Sequence, residues 1–126
     1  DLNGTPTFTN KWPGTASVKS GTQSIAHVSA SPDQLFLINC DAAATDAAVH
    51  ANANFASGTS GDTTTGISSA ELAVSTLATT NTLNLRVVGF SDSPSNSDQT
   101  AAGMLAIVLL NNHFYRYNAN GTGAGI

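Results

Sequence analysis

The chain has 126 residues, with eight Asp and Glu against four Lys and Arg, a formal net charge of −4 and 10% charged residues. Ser, Thr and Asn number 14, 16 and 12, so 42 of 126 residues are short and polar. The length suits one domain. Four cations exclude a basic stripe for nucleic acid, and 40% hydrophobic content at low charge excludes a disordered chain. A single cysteine excludes both an internal disulfide framework and a cysteine-rich zinc site.

Residues 1–22 read as an N-terminal arm or loop, ahead of one β domain over 23–126. Asn3-Gly4, Pro6, Pro13-Gly14 and Gly21 punctuate the arm as turns. Leu2, Phe8 and Trp12 are its apolar anchors; Trp12 is expected to dock on the chain's own core or on a partner. No secretory leader is read in the sequence.

Gln23–Ser29 alternates and predicts a strand. Ser31-Pro32-Asp33 is a turn signal. Gln34–Asn39 is a short apolar run, the pattern of a strand buried on both faces. Asp41–Ala56 is ambiguous. Its alanines favour a short helical turn near 42–47, whereas Val49, Ala51, Ala53 and Phe55 alternate with His50, Asn52 and Asn54, predicting a strand over 49–55. Gly58–Gly66 is a polar loop. Glu71–Leu77 alternates again. Leu83–Phe90 has the clearest strand pattern, with Leu83, Leu85 and Val87 opposite Asn84, Arg86 and Val88. Asp92–Thr100 is a second polar loop around Pro94. Met104–Leu110, the longest apolar run, predicts a central strand and is far too short to span a bilayer. Phe114–Asn118 predicts a short last strand. Six to eight short strands between Gly, Asn, Ser and Pro loops predict an all-β fold, a single-domain sandwich or barrel of jelly-roll type with an extended N-terminal arm.

Chemistry-bearing residues do not assemble into a motif. His27, His50 and His113 lie in three segments without the local spacing of a zinc site, and read as ordinary strand or loop histidines. Cys40 has no base beside it, and its neighbour Asp41 disfavours a thiolate, so it reads as a buried inert thiol. No Gly-x-Ser-x-Gly elbow occurs. Gly58–Gly66 lacks the lysine of a phosphate loop, and Gly121-x-Gly123-x-Gly125 lacks dinucleotide-binding spacing. Asp92, Asn96 and Asp98 offer oxygen ligands in one loop, but too few for a calcium loop. Asn3-Gly-Thr5 and Asn120-Gly-Thr122 match the glycosylation pattern as chance products of an Asn- and Thr-rich chain. No catalytic, cofactor or metal site is therefore expected, and the chain is expected not to be an enzyme. Phe114, Tyr115, Arg116 and Tyr117 form an aromatic group suited either to an interface, where Arg and Tyr are enriched, or to a final core strand. Narrow Ala- and Thr-rich strands imply a thin core of the kind that partner subunits complete.

Four stretches together carry a resemblance: Ser31-Pro-Asp-Gln-Leu-Phe-Leu-Ile-Asn39, Gly61-Asp-Thr-Thr-Thr-Gly-Ile-Ser-Ser69, Leu83-Asn-Leu-Arg-Val-Val-Gly-Phe-Ser-Asp92 and Leu109-Leu-Asn-Asn-His-Phe-Tyr115. Their order and spacing, over about residues 12–123, resemble tailed-bacteriophage capsid decoration (cement) proteins. The chain departs from that pattern ahead of the first strand, where family members carry more residues. The resemblance implies a virion protein, made in the host cytoplasm, that sits on the outer capsid surface. Its partners would be the major capsid protein and other copies of itself, with a trimer favoured and a dimer possible, and neither nucleic acid nor membrane. It implies no catalytic residue and no cofactor. Leu2, Phe8 and Trp12 are the expected anchors of the arm, and Phe114–Tyr117 the expected self-association region. The alternative is a carbohydrate- or host-binding module of a head fibre or spike, for which Trp12, Tyr115 and Tyr117 are the candidate platforms.

Overall fold

Five of the expected apolar stretches form strands in the computed structural model, which describes residues 2–58 and 60–115. They are β1 (Leu35–Cys40), β2 (Asn52–Phe55), β3 (Glu71–Ala78), β4 (Leu85–Phe90) and β5 (Leu105–Leu110). Their order around a closed barrel is β1-β3-β2-β4-β5. The fold is all-β, as the alternating pattern predicts. The chain divides into two compact units, Asp1–Val28 with Ser60–Ser69, and Ser29–Thr59 with Ala70–Ile126; the barrel is the second.

The barrel core follows from alternation. Ile38 and Cys40 of β1, Leu72 of β3, Leu85 and Val87 of β4, and Ala106 and Val108 of β5 point inward and are buried. Ala44 and Ala53 fill the remaining interior, with Val74, Leu77, Phe90 and Leu110 packed around it. Five narrow strands leave a thin interior, so alanine sits where a sandwich would carry leucine.

β1 and β5 pair antiparallel over five residues, from Leu35↔Leu109 to Asn39↔Leu105. β4 and β5 pair from Leu85↔Leu110 to Phe90↔Ala106, with a register shift between Val87 and Gly89. The β2–β3 ladder shifts between Asn52 and Asn54. There the Thr76 hydroxyl accepts the Asn54 N–H at 2.9 Å and donates to the Ala73 carbonyl at 2.7 Å, filling the break. The barrel closes through a parallel seam of only two pairs, Asn39↔Glu71 and Cys40↔Leu72. Asp41 extends it: its N–H donates to the Leu72 carbonyl at 3.0 Å and its Oδ1 accepts the Val74 N–H at 2.9 Å.

The abundant asparagines act as loop cement. Asn111 Nδ2 donates to the carbonyls of Asn81 and Leu83, and Asn112 Nδ2 donates to that of Thr82. These bonds pin the β3–β4 turn beneath the end of β5. Asn52, buried, donates to the Thr80 carbonyl and accepts from Arg86 Nε.

Several expectations are corrected. Gln23–Ser29 forms no strand; the segment is exposed throughout and its Ile25 and Val28 find no buried face. The strand expected over 49–55 begins only at Asn52, because His50 turns the chain at φ 70. The helical turn expected near 42–47 is a single 3-10 turn at Asp46–Ala48. Of the strand expected at 114–118, Phe114 and Tyr115 lie in a turn; Arg116, Tyr117 and Asn118 lie outside the described residues.

Candidate functional site

The expectation that Gln34–Asn39 is buried on both faces fails, and its failure reveals an exposed apolar surface of the barrel. In β1 the inward side chains alternate with Leu35 and Leu37, which point outward and are exposed, Leu37 by 62%. Their cross-strand partners are Leu109 and Ile107 of β5, both half-buried on the same outer face. Leu109 in turn pairs with Arg86 of β4, and exposed Val88 stands at the β4 register shift. The outer face of β1, β5 and β4 is thus an aliphatic block with Arg86 on its β4 side. A solvated barrel strand would place polar residues at these positions. The signal was present in the sequence: Leu-Phe-Leu-Ile and Leu-Ala-Ile-Val-Leu-Leu are apolar without alternation. That pattern fits a strand covered on both faces, and equally a strand that a partner covers.

The sequence-predicted interface residues fall in separate places. In the first unit, Leu2, Phe8 and Trp12 are all exposed, Phe8 by 94% and Trp12 by 60%. Trp12 is therefore not docked in a core of its own unit. It borders a shallow cleft of about 390 Å³ with Lys11, Asp62, Thr63 and Ile67. Lys11 Nζ donates to the carbonyls of Thr63 and Thr64, and Asn10 Nδ2 donates to that of Thr65, tying residues 10–12 to the polar loop. Gly66 makes this approach possible: it has φ +73, and a Cβ there would stand 2.8 Å from Lys11 Cβ. Asp62 Oδ1 accepts the N–H groups of Thr64 at 2.7 Å and Thr65 at 3.3 Å. These bonds, the Thr64 one foremost, hold the Asp62 carboxyl below its ordinary pKa.

At the end of β5, Phe114 and Tyr115 are exposed and stack edge to face with centroids 4.8 Å apart. The Tyr115 N–H donates to His113 Nδ1 at 3.0 Å, which fixes the imidazole tautomer with its proton on Nε2 when neutral. The three histidines stay in separate segments, and no group of three or more His, Cys, Asp or Glu converges among the described residues.

A second open cleft, about 410 Å³, lies beside the 92–100 loop over Val49, Phe90 and Met104, with Asp46 and Asp92 on its rim. Asn96 and Asp98 commit their side-chain oxygens within the loop and its neighbours. Asn96 is buried and bonded through both side-chain atoms. Asp98 accepts from the Thr100 hydroxyl and N–H at 2.6 and 2.9 Å, bonds that lower its pKa, the hydroxyl first. Cys40 is 1% exposed inside the barrel. Burial, with Asp41 adding to it, pushes its thiol pKa up, the opposite of nucleophile activation.

No family model, curated protein or solved structure matches this chain.

Proposed function

We propose that this chain is a structural virion protein that binds the outer surface of an icosahedral phage capsid as an oligomer and stabilises the shell. The carrying observation is the aliphatic block on the barrel exterior, where Leu35 and Leu37 are exposed and Ile107 and Leu109 half-buried. Such a face is costly in water at roughly 25 cal/mol per Å² and is relieved by association. The sequence motifs that resemble the decoration-protein family supply the identity of the surface it would join. A protein of this kind works by rigid attachment rather than by chemistry. A small barrel whose asparagine side chains lock its loops provides that rigidity.

The test is co-sedimentation with purified capsid shells, followed by heating the shells with and without the protein. Saturable binding and a raised disruption temperature support the reading. Absence of binding overturns it.

The carbohydrate-binding reading draws on a different observation, the exposed Trp12 ring beside Asp62 in a shallow cleft. An indole face with hydroxyl and carboxylate neighbours suits the apolar face and hydroxyl rim of a pyranose. A glycan array with Trp12→Ala as the control decides it.

A further inference from the structure

We propose that the Trp12 cleft, read as a carbohydrate site, binds a neutral hexopyranose, with the indole as stacking platform and the Lys11 ammonium as hydrogen-bond donor. The ligand class and the donor rest on the carbohydrate-binding reading and add to it. The cleft lies wholly in the first unit, where Lys11, Trp12, Asp62, Thr63 and Ile67 line it.

The platform stands on a turn that is closed at both ends. The Gly66 N–H donates to the Asp62 carbonyl at 2.8 Å, the bond of one helical turn, and the Asp62 N–H donates to the Ile67 carbonyl at 2.9 Å. Asp62 Oδ1 caps the start of the turn by accepting the Thr64 N–H. A turn of this kind leaves its last carbonyls without partners inside it. Lys11 Nζ donates to those of Thr63 and Thr64, the second at 2.8 Å, and Asn10 Nδ2 donates to that of Thr65 at 2.6 Å. The Thr9 hydroxyl donates in turn to the Lys11 carbonyl. Residues 9–11 are thereby tied down, yet Trp12, next in the chain, stays 60% exposed. The backbone that carries the indole is held before any ligand arrives, which lowers the ordering cost of binding.

Charge selects the ligand class. Lys11 and Asp62 bring opposite charges to the same cleft. An anionic sugar would meet the carboxylate. An organic cation drawn to the indole face would meet the ammonium. A neutral ligand meets neither penalty. Among neutral ligands, a flat apolar face edged by hydroxyls matches an indole beside a polar donor, and a hexopyranose ring has that surface. An ammonium carries three N–H donors. Two go to the Thr63 and Thr64 carbonyls; the third is the one assigned to a sugar oxygen. Asp62 serves the turn, and its charge offsets that of Lys11.

Trp12 is the chain's single tryptophan, so tryptophan emission reads this cleft alone. The experiment titrates the full chain, as wild type, Lys11→Met and Asn10→Ala, with neutral oligosaccharides of glucose, galactose and mannose and with sialylated and sulfated glycans. A neutral oligosaccharide is expected to move the emission saturably to shorter wavelength and to shield it from acrylamide, while the anionic set leaves it unchanged. Lys11→Met should weaken that binding roughly ten-fold, the worth of one hydrogen bond from a charged donor, with unchanged far-ultraviolet circular dichroism. Asn10→Ala breaks a bond to the turn without touching the assigned donor, and should bind like the wild type. If no glycan of either set moves the emission, the proposal falls together with the carbohydrate reading. Binding confined to anionic glycans overturns the proposal and leaves that reading standing. An equal loss in Lys11→Met and Asn10→Ala overturns it as well, because Lys11 then acts only through the turn. A shift with purified capsid shells and with no glycan overturns it by assigning the cleft to the shell protein.

Discussion

Asn96 acts as a strand partner for Leu105. Its Oδ1 accepts the Leu105 N–H at 2.6 Å while its Nδ2 donates to the Leu105 carbonyl at 3.0 Å and to that of Ser91 at 2.9 Å. One buried amide thus starts β5 and ties it to the end of β4. Asn96→Ala should cost about 3 kcal/mol, since it strands buried backbone groups. Asn96→Asp should cost at least as much, because a carboxylate accepts only and faces two carbonyls. Urea unfolding of the three proteins measures this, and a loss below about 1 kcal/mol for alanine contradicts the account.

Two leucines of opposite address separate folding from association. Leu72 is 1% exposed in the barrel core, so Leu72→Ala should cost roughly 2–5 kcal/mol through lost burial and a cavity. Leu37→Ala, on the outer face, should cost about 1 kcal/mol or less under dilute conditions, where association does not contribute. Thermal melts of both at low concentration test the contrast.

Cys40 should react slowly with a thiol reagent in the native state and quickly in denaturant, because it is buried and its thiol is held protonated. The same shift sets a pH trend. The folded pKa is raised, so the contribution is fully present below the unfolded thiol value of about 8.5 and is lost as pH rises through the folded value. Unfolding midpoints should therefore fall as pH rises above the unfolded thiol value of about 8.5, and the part due to this group should vanish in Cys40→Ala.

Acid acts at the other end through Asp62 and Asp98, whose carboxyls are held low by threonine N–H and hydroxyl donors. The order they confer is present above the ordinary aspartate value of about 3.9 and is lost as pH falls through the lowered folded values. Amide exchange at Thr64 and Thr100 should accelerate there. Asp62→Ala should speed exchange at Thr64 at neutral pH and leave Thr100 unchanged.

The sequence by itself determined the strands that alternation or apolar runs could announce. Leu85 and Val87 against Arg86 and Val88 is a period of two that only a half-buried strand satisfies, and that reading holds in β4. It also pointed to a buried Cys40 with no base beside it in the chain, and Cys40 is buried. The tertiary structure alone decided which apolar runs are covered. Leu35, Leu37, Ile107 and Leu109 have the composition of a doubly buried strand, yet Leu35 and Leu37 are exposed and Ile107 and Leu109 only half-buried. Whether a face is covered depends on what packs over it, and that is not written in the strand. The same holds for Gln23–Ser29, whose alternation found no ladder, because a strand needs a neighbour's backbone to exist. The parallel seam of β1 and β3 sets Asn39 beside Glu71 and Cys40 beside Leu72. That register is fixed across more than thirty residues by Asp41, Leu72 and Val74, contacts that no local pattern encodes.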